Sequence, residues 1–207
     1  MSKDIMKIKV SDIFEGFPDF EEQQLQQTRQ RRQRRVIRVS DKPKKLSLEE
    51  TETFHRRKPR IMKTIYSKID NRETLYGSRA LNVRLPSYLD RHTRDADIFT
   101  PIPYIEARET EKALDTMMSF DAFRVEQAEH PGTWKVIAHA TGETYVDYTK
   151  TPEGIRREKI RGIHYPTIPH IEKSLRRTLA DPTASYRHEK DQDALNRIQI
   201  YKGGRVF

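Results

Sequence analysis

Asp95 and Asp97 stand two residues apart in Arg94-Asp95-Ala96-Asp97-Ile98-Phe99. This run reads as a strand, stopped by Pro101 and Pro103. On a strand, residues i and i+2 point to the same face. Both carboxylates therefore project together, while Ala96 and Ile98 turn toward a core. Two carboxylates side by side repel unless a cation sits between them. Hard oxygen ligands favour Mg²⁺, with Mn²⁺ as a substitute. A third carboxylate is available in Tyr145-Val146-Asp147-Tyr148, on the last strand of a hairpin. Three carboxylates on neighbouring strands hold two Mg²⁺ roughly 3.5–4 Å apart and suit in-line displacement at phosphorus. Upstream, Gly77 allows close backbone approach to a phosphate oxygen, and Ser78 offers a hydroxyl at a helix start. Each short motif also has a plainer reading. The aspartates could pair with Arg91 and Arg94, Asp147 could be a polar group on a half-exposed strand, and Gly77-Ser78 could be an ordinary turn.

The elements that must position these residues follow from pattern. Ser47-Leu48-Glu49-Glu50 is a capping-box helix start, and Pro59 breaks or restarts that helix. Leu75-Tyr76-Gly77 ends a short strand, and a helix runs from Ser78 to Leu85, closed by Pro86. The Asp95–Phe99 strand leads to an amphipathic helix over Tyr104–Met118. Strands follow at Ala122–Ala128, Trp134–Ala140 and Thr144–Thr149, the last two joined tightly through Thr141-Gly142-Glu143. Ile163–Tyr165 adds a short edge strand. Two helices, Ile168–Leu179 and Ser185–Tyr201, finish the chain. The expected fold class is α/β (α+β): a mixed, twisted sheet of four or five strands flanked by helices.

The spaced constellation resembles the DNA polymerase β-like nucleotidyltransferase superfamily. The residues that carry the resemblance are Leu75-Tyr76-Gly77-Ser78-Arg79-Ala80-Leu81-Asn82, then Arg91-His92-Thr93-Arg94-Asp95-Ala96-Asp97-Ile98-Phe99, then Asp147. The closest look is to the branch of large-DNA-virus poly(A)-polymerase-like proteins and bacterial abortive-infection or toxin nucleotidyltransferases. Tyr186-Arg187-His188-Glu189-Lys190-Asp191-Gln192-Asp193-Ala194-Leu195 is similar to an Arg-x-x-Lys-Asp-x-x-Asp-Leu helix common in the bacterial branch, and His170-Ile171-Glu172-Lys173-Ser174-Leu175 to its lysine-bearing helix. The likeness covers about residues 70–200. It implies a nucleotidyltransferase fold and transfer of an NMP from an NTP such as ATP to an acceptor hydroxyl on an RNA or DNA end or a protein. Asp95, Asp97 and Asp147 would be catalytic metal ligands. Gly77, Ser78, Lys173 and Lys190 would bind nucleotide. Lys173 and Lys190 also read as solvated helix charges, and Asp191 and Asp193 as partners of Arg187, Lys190 and Arg197. Two departures stand out: the family's acceptor-gripping domain is absent here or reduced to two helices, and the Asp-x-Asp strand is short.

The chain has 207 residues, 40 Lys plus Arg and 31 Asp plus Glu, for a net charge of +9. Such a balance points to polyanion partners. Hydrophobic residues make up 34%, so part of the chain is expected to lie outside a core. The domain reading is a basic, low-complexity arm over 1–46 and a nucleotidyltransferase-like domain over 47–207. From Arg29 to Lys45 nine basic residues face one acid, Asp41. Arg29, Arg31, Arg32, Arg34, Arg35 and Arg38 are the candidate nucleic-acid contacts. The arm's Ile13, Phe14, Phe17 and Phe20 are candidate contacts for protein partners.

Zero cysteines exclude a disulfide scaffold, a thiolate zinc site and a cysteine nucleophile. No G-x-S-x-G or G-x-x-x-x-G-K-[ST] is present, which argues against a serine hydrolase or P-loop NTPase. No apolar run suits a membrane span or signal peptide, so the expected location is the cytoplasm, or a virion into which the protein is packaged. The alternative functional reading is a catalytically inactive structural or assembly protein of the same fold, binding nucleic acid or neighbouring subunits through its arm.

Overall fold

The computed structural model describes residues 43–203. The six candidate arginines of the arm, and its apolar residues before position 43, lie outside them.

Ser47 caps the first helix, α1 (Leu48–Arg57), as its sequence predicts. Its hydroxyl accepts from the Glu50 N–H at 3.2 Å, and the Glu50 carboxylate accepts from the Ser47 N–H at 2.8 Å. Pro59 turns the chain through a short 3₁₀ segment, Lys58–Arg60, into α2 (Ile61–Lys68). Then come β1 (Thr74–Tyr76), α3 (Gly77–Asn82) and β2 (Ala96–Thr100). Helix α4 (Pro103–Met118) begins at a proline, which lacks only an N–H that the first turn leaves unpaired anyway. The strands β3 (Phe123–Gln127), β4 (Thr133–Ala138) and β5 (Thr144–Lys150) follow.

These five strands form one mixed sheet in the order β1-β2-β5-β4-β3. β2 and β5 are parallel; the other pairs are antiparallel. Ala96, Ile98, Val146, Tyr148, Val125 and Val136 are buried, with Ala107, Leu114 and Met118 of α4 in the same core. One polar pair crosses that interface. The Thr110 and Tyr148 hydroxyls are 2.7 Å apart, and both residues are buried. The pairing satisfies two groups that would be costly to bury alone.

Three elements differ from the sequence expectation. Helix α3 stops at Asn82 rather than Leu85. The Asn82 amide bonds the Arg91 backbone in both directions, at 2.7 and 3.1 Å, and the intervening chain turns through Pro86. The Ile163–Tyr165 strand is half of a separate hairpin, β6 (Arg157–Ile160) with β7 (Ile163–Pro166). Its two-residue turn places Arg161 and Gly162 both at positive φ, 50° and 88°, as a tight hairpin turn matching strand twist requires. The last helix, α6 (His188–Gly203), starts later than expected, after α5 (Ile168–Leu179) and a 3₁₀ stretch, Pro182–Arg187. Its Ala194 and Ile198 pack with Leu81 and Leu85, and this small cluster docks α6 beside α3. Among the described residues, no helix is long and apolar enough to cross a membrane.

Candidate active site

The register of the sheet assembles the aspartates. Asp97 is paired with Tyr76 on one side and with Asp147 on the other, and Asp147 in turn with Lys135. Residues directly opposite across a ladder share a face, so this row carries Tyr76, Asp97, Asp147 and Lys135 on one side of the sheet. Asp95 lies one residue before β2 and joins them from its entry loop. One ligand oxygen from each of Asp95, Asp97 and Asp147 lies within 4.8 Å of the others.

The loop before β2 is held firmly. The Thr93 hydroxyl donates to a carboxylate oxygen of Asp95 at 3.0 Å. Arg79 of α3 donates to the Asp95 carbonyl at 2.6 Å and to the Thr93 carbonyl at 3.2 Å. Its guanidinium lies 5.6 Å from the Tyr66 ring centroid.

Gly77 has φ +69°, and a Cβ there would fall 2.1 Å from Oδ2 of Asp97. The close approach that this glycine permits is therefore by the Asp97 carboxylate. Ser78 is the second residue of a six-residue helix whose N-cap, Tyr76, makes no side-chain cap bond. A helix this short adds little dipole to the site.

Charge and burial oppose ionisation of Asp97 and Asp147. Burial, then Asp95 and Asp147, push the Asp97 carboxyl up to about 7, against the pull of Lys190 and Arg187. Burial pushes Asp147 up to about 6, with Asp95 adding to the rise while Lys135 and Lys190 oppose it. Oδ1 of Asp147 is buried and has no hydrogen-bond partner in the protein. An orphaned carboxylate oxygen, two further carboxylates within reach and an all-oxygen donor set fit a hard divalent cation such as Mg²⁺.

A cleft of about 920 Å³ opens beside Asp95, lined by Ser78 and Lys190 together with Lys58, Met62, Arg91 and Arg94, among others. Ser78, Asp95 and Lys190, all marked by their sequence, thus share one cleft. Lys173 does not line it and is exposed on α5. Asp191 and Asp193 pair with Arg187 and Arg197 at 3.2 and 3.4 Å, one turn apart on α6. Trp134 packs edge-on against Tyr104, and Tyr145 against Phe54 and Phe123.

Four residues near the triad were not placed there by sequence. Lys135 needs the β4–β5 register, and Arg187, read from sequence only as part of the last helix and as an ion-pair partner, needs the docking of α6. Arg79 and Thr93 sit inside the two motifs, but their roles are in hydrogen bonds that spacing does not show.

No protein-family model matches the chain, and no curated protein sequence does. Solved structures do. The Megavirus polyadenylate synthase aligns with 98% of this chain at 19% identity and a TM-score of 0.59. The chain has the nucleotidyltransferase fold. It spans 39% of the length of that Megavirus chain. A Helicobacter pylori protein provisionally assigned as a nucleotidyltransferase aligns with 68% of this chain, and 62% of its own length, at 14% identity and a TM-score of 0.39. On the nucleotidyltransferase fold, the triad lies where β1, β2 and β5 run side by side, with α3 leaving directly from β1.

Proposed function

We propose that this protein is a Mg²⁺-dependent nucleotidyltransferase that moves an NMP from an NTP to an acceptor hydroxyl. The observation that carries the proposal is the convergence of Asp95, Asp97 and Asp147, with a buried, unpartnered oxygen on Asp147, beside a cation-lined cleft. The fold, shared with a polyadenylate synthase, favours a nucleic-acid end as the acceptor.

Asp95, Asp97 and Asp147 would hold two metal ions, with Mn²⁺ as a substitute for Mg²⁺. Bound there, the metal supplies acidification of the attacking hydroxyl and neutralisation of triphosphate charge. The acceptor oxygen attacks the α-phosphorus in line. A new P–O bond forms as the α–β phosphoanhydride breaks, and pyrophosphate leaves with the bonding electron pair. The hydroxyl proton passes to the Asp147 carboxylate, which lies beside the other two aspartates at the reacting centre. Ser78 and the Gly77 backbone bind triphosphate oxygens, and Lys190 adds positive charge from α6. Lys173 is not part of this set. Arg79 and Thr93 keep the Asp95 carboxylate in place.

Residues 1–46 act in this reading as a basic arm on a catalytic domain of residues 47–207, its arginines binding nucleic acid backbone. Calorimetry of NTP with and without Mg²⁺ tests the proposal. Wild type binds NTP only with the metal, and the Asp95→Asn/Asp97→Asn double variant does not. Equal binding by both proteins contradicts it.

A further inference from the structure

The cleft beside Asp95 is also lined by a second carboxylate, Glu143, to which the nucleotide reading gives no role. Glu143 ends the β4–β5 turn just before β5 begins. Its carboxylate accepts from Lys58 Nζ at 3.0 Å and from the Tyr145 hydroxyl at 3.3 Å, and faces an Arg94 nitrogen at 3.7 Å. One carboxylate thus serves two cations that line the cleft. Arg91 and His92 border the same space, and Pro59 and Met62 give it an apolar floor. The sequence around this wall is one-sided. Residues 53–69 contain six Lys or Arg and no acid.

We propose that Lys58 and Arg94 form a phosphate subsite for the acceptor strand, with Glu143 as its resident counter-ion, displaced when an acceptor phosphodiester arrives. This rests on the nucleotidyl-transfer reading, because it places the acceptor in the cleft that reaches Asp95. The chemistry recommends an anionic ligand. A single carboxylate against two cations leaves an excess positive charge, and the ion pairs are partly exposed. Such pairs are weak, worth about a factor of five at most in an equilibrium, so a phosphodiester can exchange for Glu143 at low cost. The apolar floor suits the flat face of a base beside the phosphate. Glu143 then acts as a selectivity device. An acceptor without a phosphate at this position gains nothing by displacing it.

The test compares wild type, Glu143→Gln and Lys58→Ala/Arg94→Ala as full chains, with thermal melting to show that each is folded. The probe is a fluorescent hexaribonucleotide with a 3′-deoxy end, read by anisotropy; magnesium-bound NTP is read separately by calorimetry. Glu143→Gln should tighten the oligonucleotide about threefold to fivefold, as expected for freeing one half-exposed and one largely exposed cation. The double cation variant should weaken it and flatten its log–log salt dependence by about 0.7, for the one phosphate of this subsite. NTP affinity should stay within about twofold in all three proteins, a change of under 0.5 kcal/mol. Unchanged or weaker oligonucleotide binding by Glu143→Gln overturns the proposal. So does an equal gain for NTP, which would assign the subsite to the nucleotide. Loss of NTP binding by every protein, wild type included, would instead count against the nucleotidyl-transfer reading, and the oligonucleotide ranking would still decide the subsite.

Discussion

A Cβ on Gly77 would stand 2.1 Å from Oδ2 of Asp97. The turn that launches α3 and the carboxylate at the centre of the triad therefore occupy adjoining space, and only a residue without a side chain lets both stay.

Gly77→Ala is accordingly a severe change for a single methyl group. The left-handed backbone costs roughly 1–2 kcal/mol with any side chain, and Asp97 must move. Displacing a reacting constellation by about 1 Å costs on the order of a hundredfold in rate. The expected outcome is a folded protein, slightly lower in melting temperature, with Mn²⁺ binding by electron paramagnetic resonance and transfer activity both largely lost. Wild-type metal binding in this variant would show that the approach to Asp97 is unimportant.

Proton competition sets the pH dependence of metal binding. Burial and the neighbouring carboxylates push Asp97 up to about 7 and Asp147 up to about 6. Metal binds the ionised carboxylates, so protons oppose it. Affinity should rise between pH 5.5 and 7.5 by about tenfold to a hundredfold and level off above. Calorimetry at pH 6 in buffers of different ionisation enthalpy should record proton release. A flat profile across this range would remove the triad as the metal site.

Burial gives Glu73 a separate, stability-linked titration. It is 2% exposed, and one of its oxygens has no partner. Burial, with Glu106 and Asp70 adding to it, pushes its pKa from 4.5 up to about 7. A carboxyl with a raised folded pKa binds more protons folded than unfolded, so its contribution is lost as pH rises from 4.5 to 7. The full span corresponds to about 3 kcal/mol. Glu73→Gln should therefore match wild type near pH 4.5 in relative stability and gain on it by up to about 3 kcal/mol at pH 8. Denaturant unfolding of both proteins at the two pH values measures the difference; a constant gap would assign the effect to packing.

The Thr110–Tyr148 hydroxyl pair tests how α4 is fastened to the sheet. Tyr148→Phe leaves the buried Thr110 hydroxyl without its partner and should cost about 1–3 kcal/mol. Thr110→Val should cost a similar amount, and the double variant less than the sum, with a coupling of about 0.5–3 kcal/mol. Strict additivity in the cycle would mean that the two hydroxyls do not depend on each other.

Much of the site was legible because strand periodicity is short-range. Two aspartates separated by Ala96 must share a side, and a glycine upstream marks a constrained turn. What joins Asp147 to them is the parallel pairing of β2 with β5, about fifty residues apart, which no local pattern encodes. The same limit explains Lys173 and Lys190. Both sit on helices near the C-terminal end, and the packing of α5 and α6 on the Leu81–Leu85 cluster decides which lysine reaches the cleft. The β6–β7 hairpin was half hidden because Arg157-Glu158-Lys159 lacks polar–apolar alternation and its turn uses Arg161-Gly162 in place of the more readable Asn-Gly. Helix α3 was expected to be longer because its apolar spacing continues to Leu85, whereas the Asn82 side chain bonds the Arg91 backbone where the helix ends.

The central claim is that Asp95, Asp97 and Asp147 work together in nucleotidyl transfer. Incorporation of α-labelled NTP into RNA, DNA and protein acceptors, with Mg²⁺, measures this directly. Wild type should label at least one acceptor, and Asp95→Asn/Asp97→Asn, which removes two anionic ligands at almost constant shape, should lower the rate by about a thousandfold or more, as expected when charge stabilisation at the reacting centre is removed. Equal labelling by wild type and the double variant, or no labelling by wild type with any NTP and acceptor, would contradict the account.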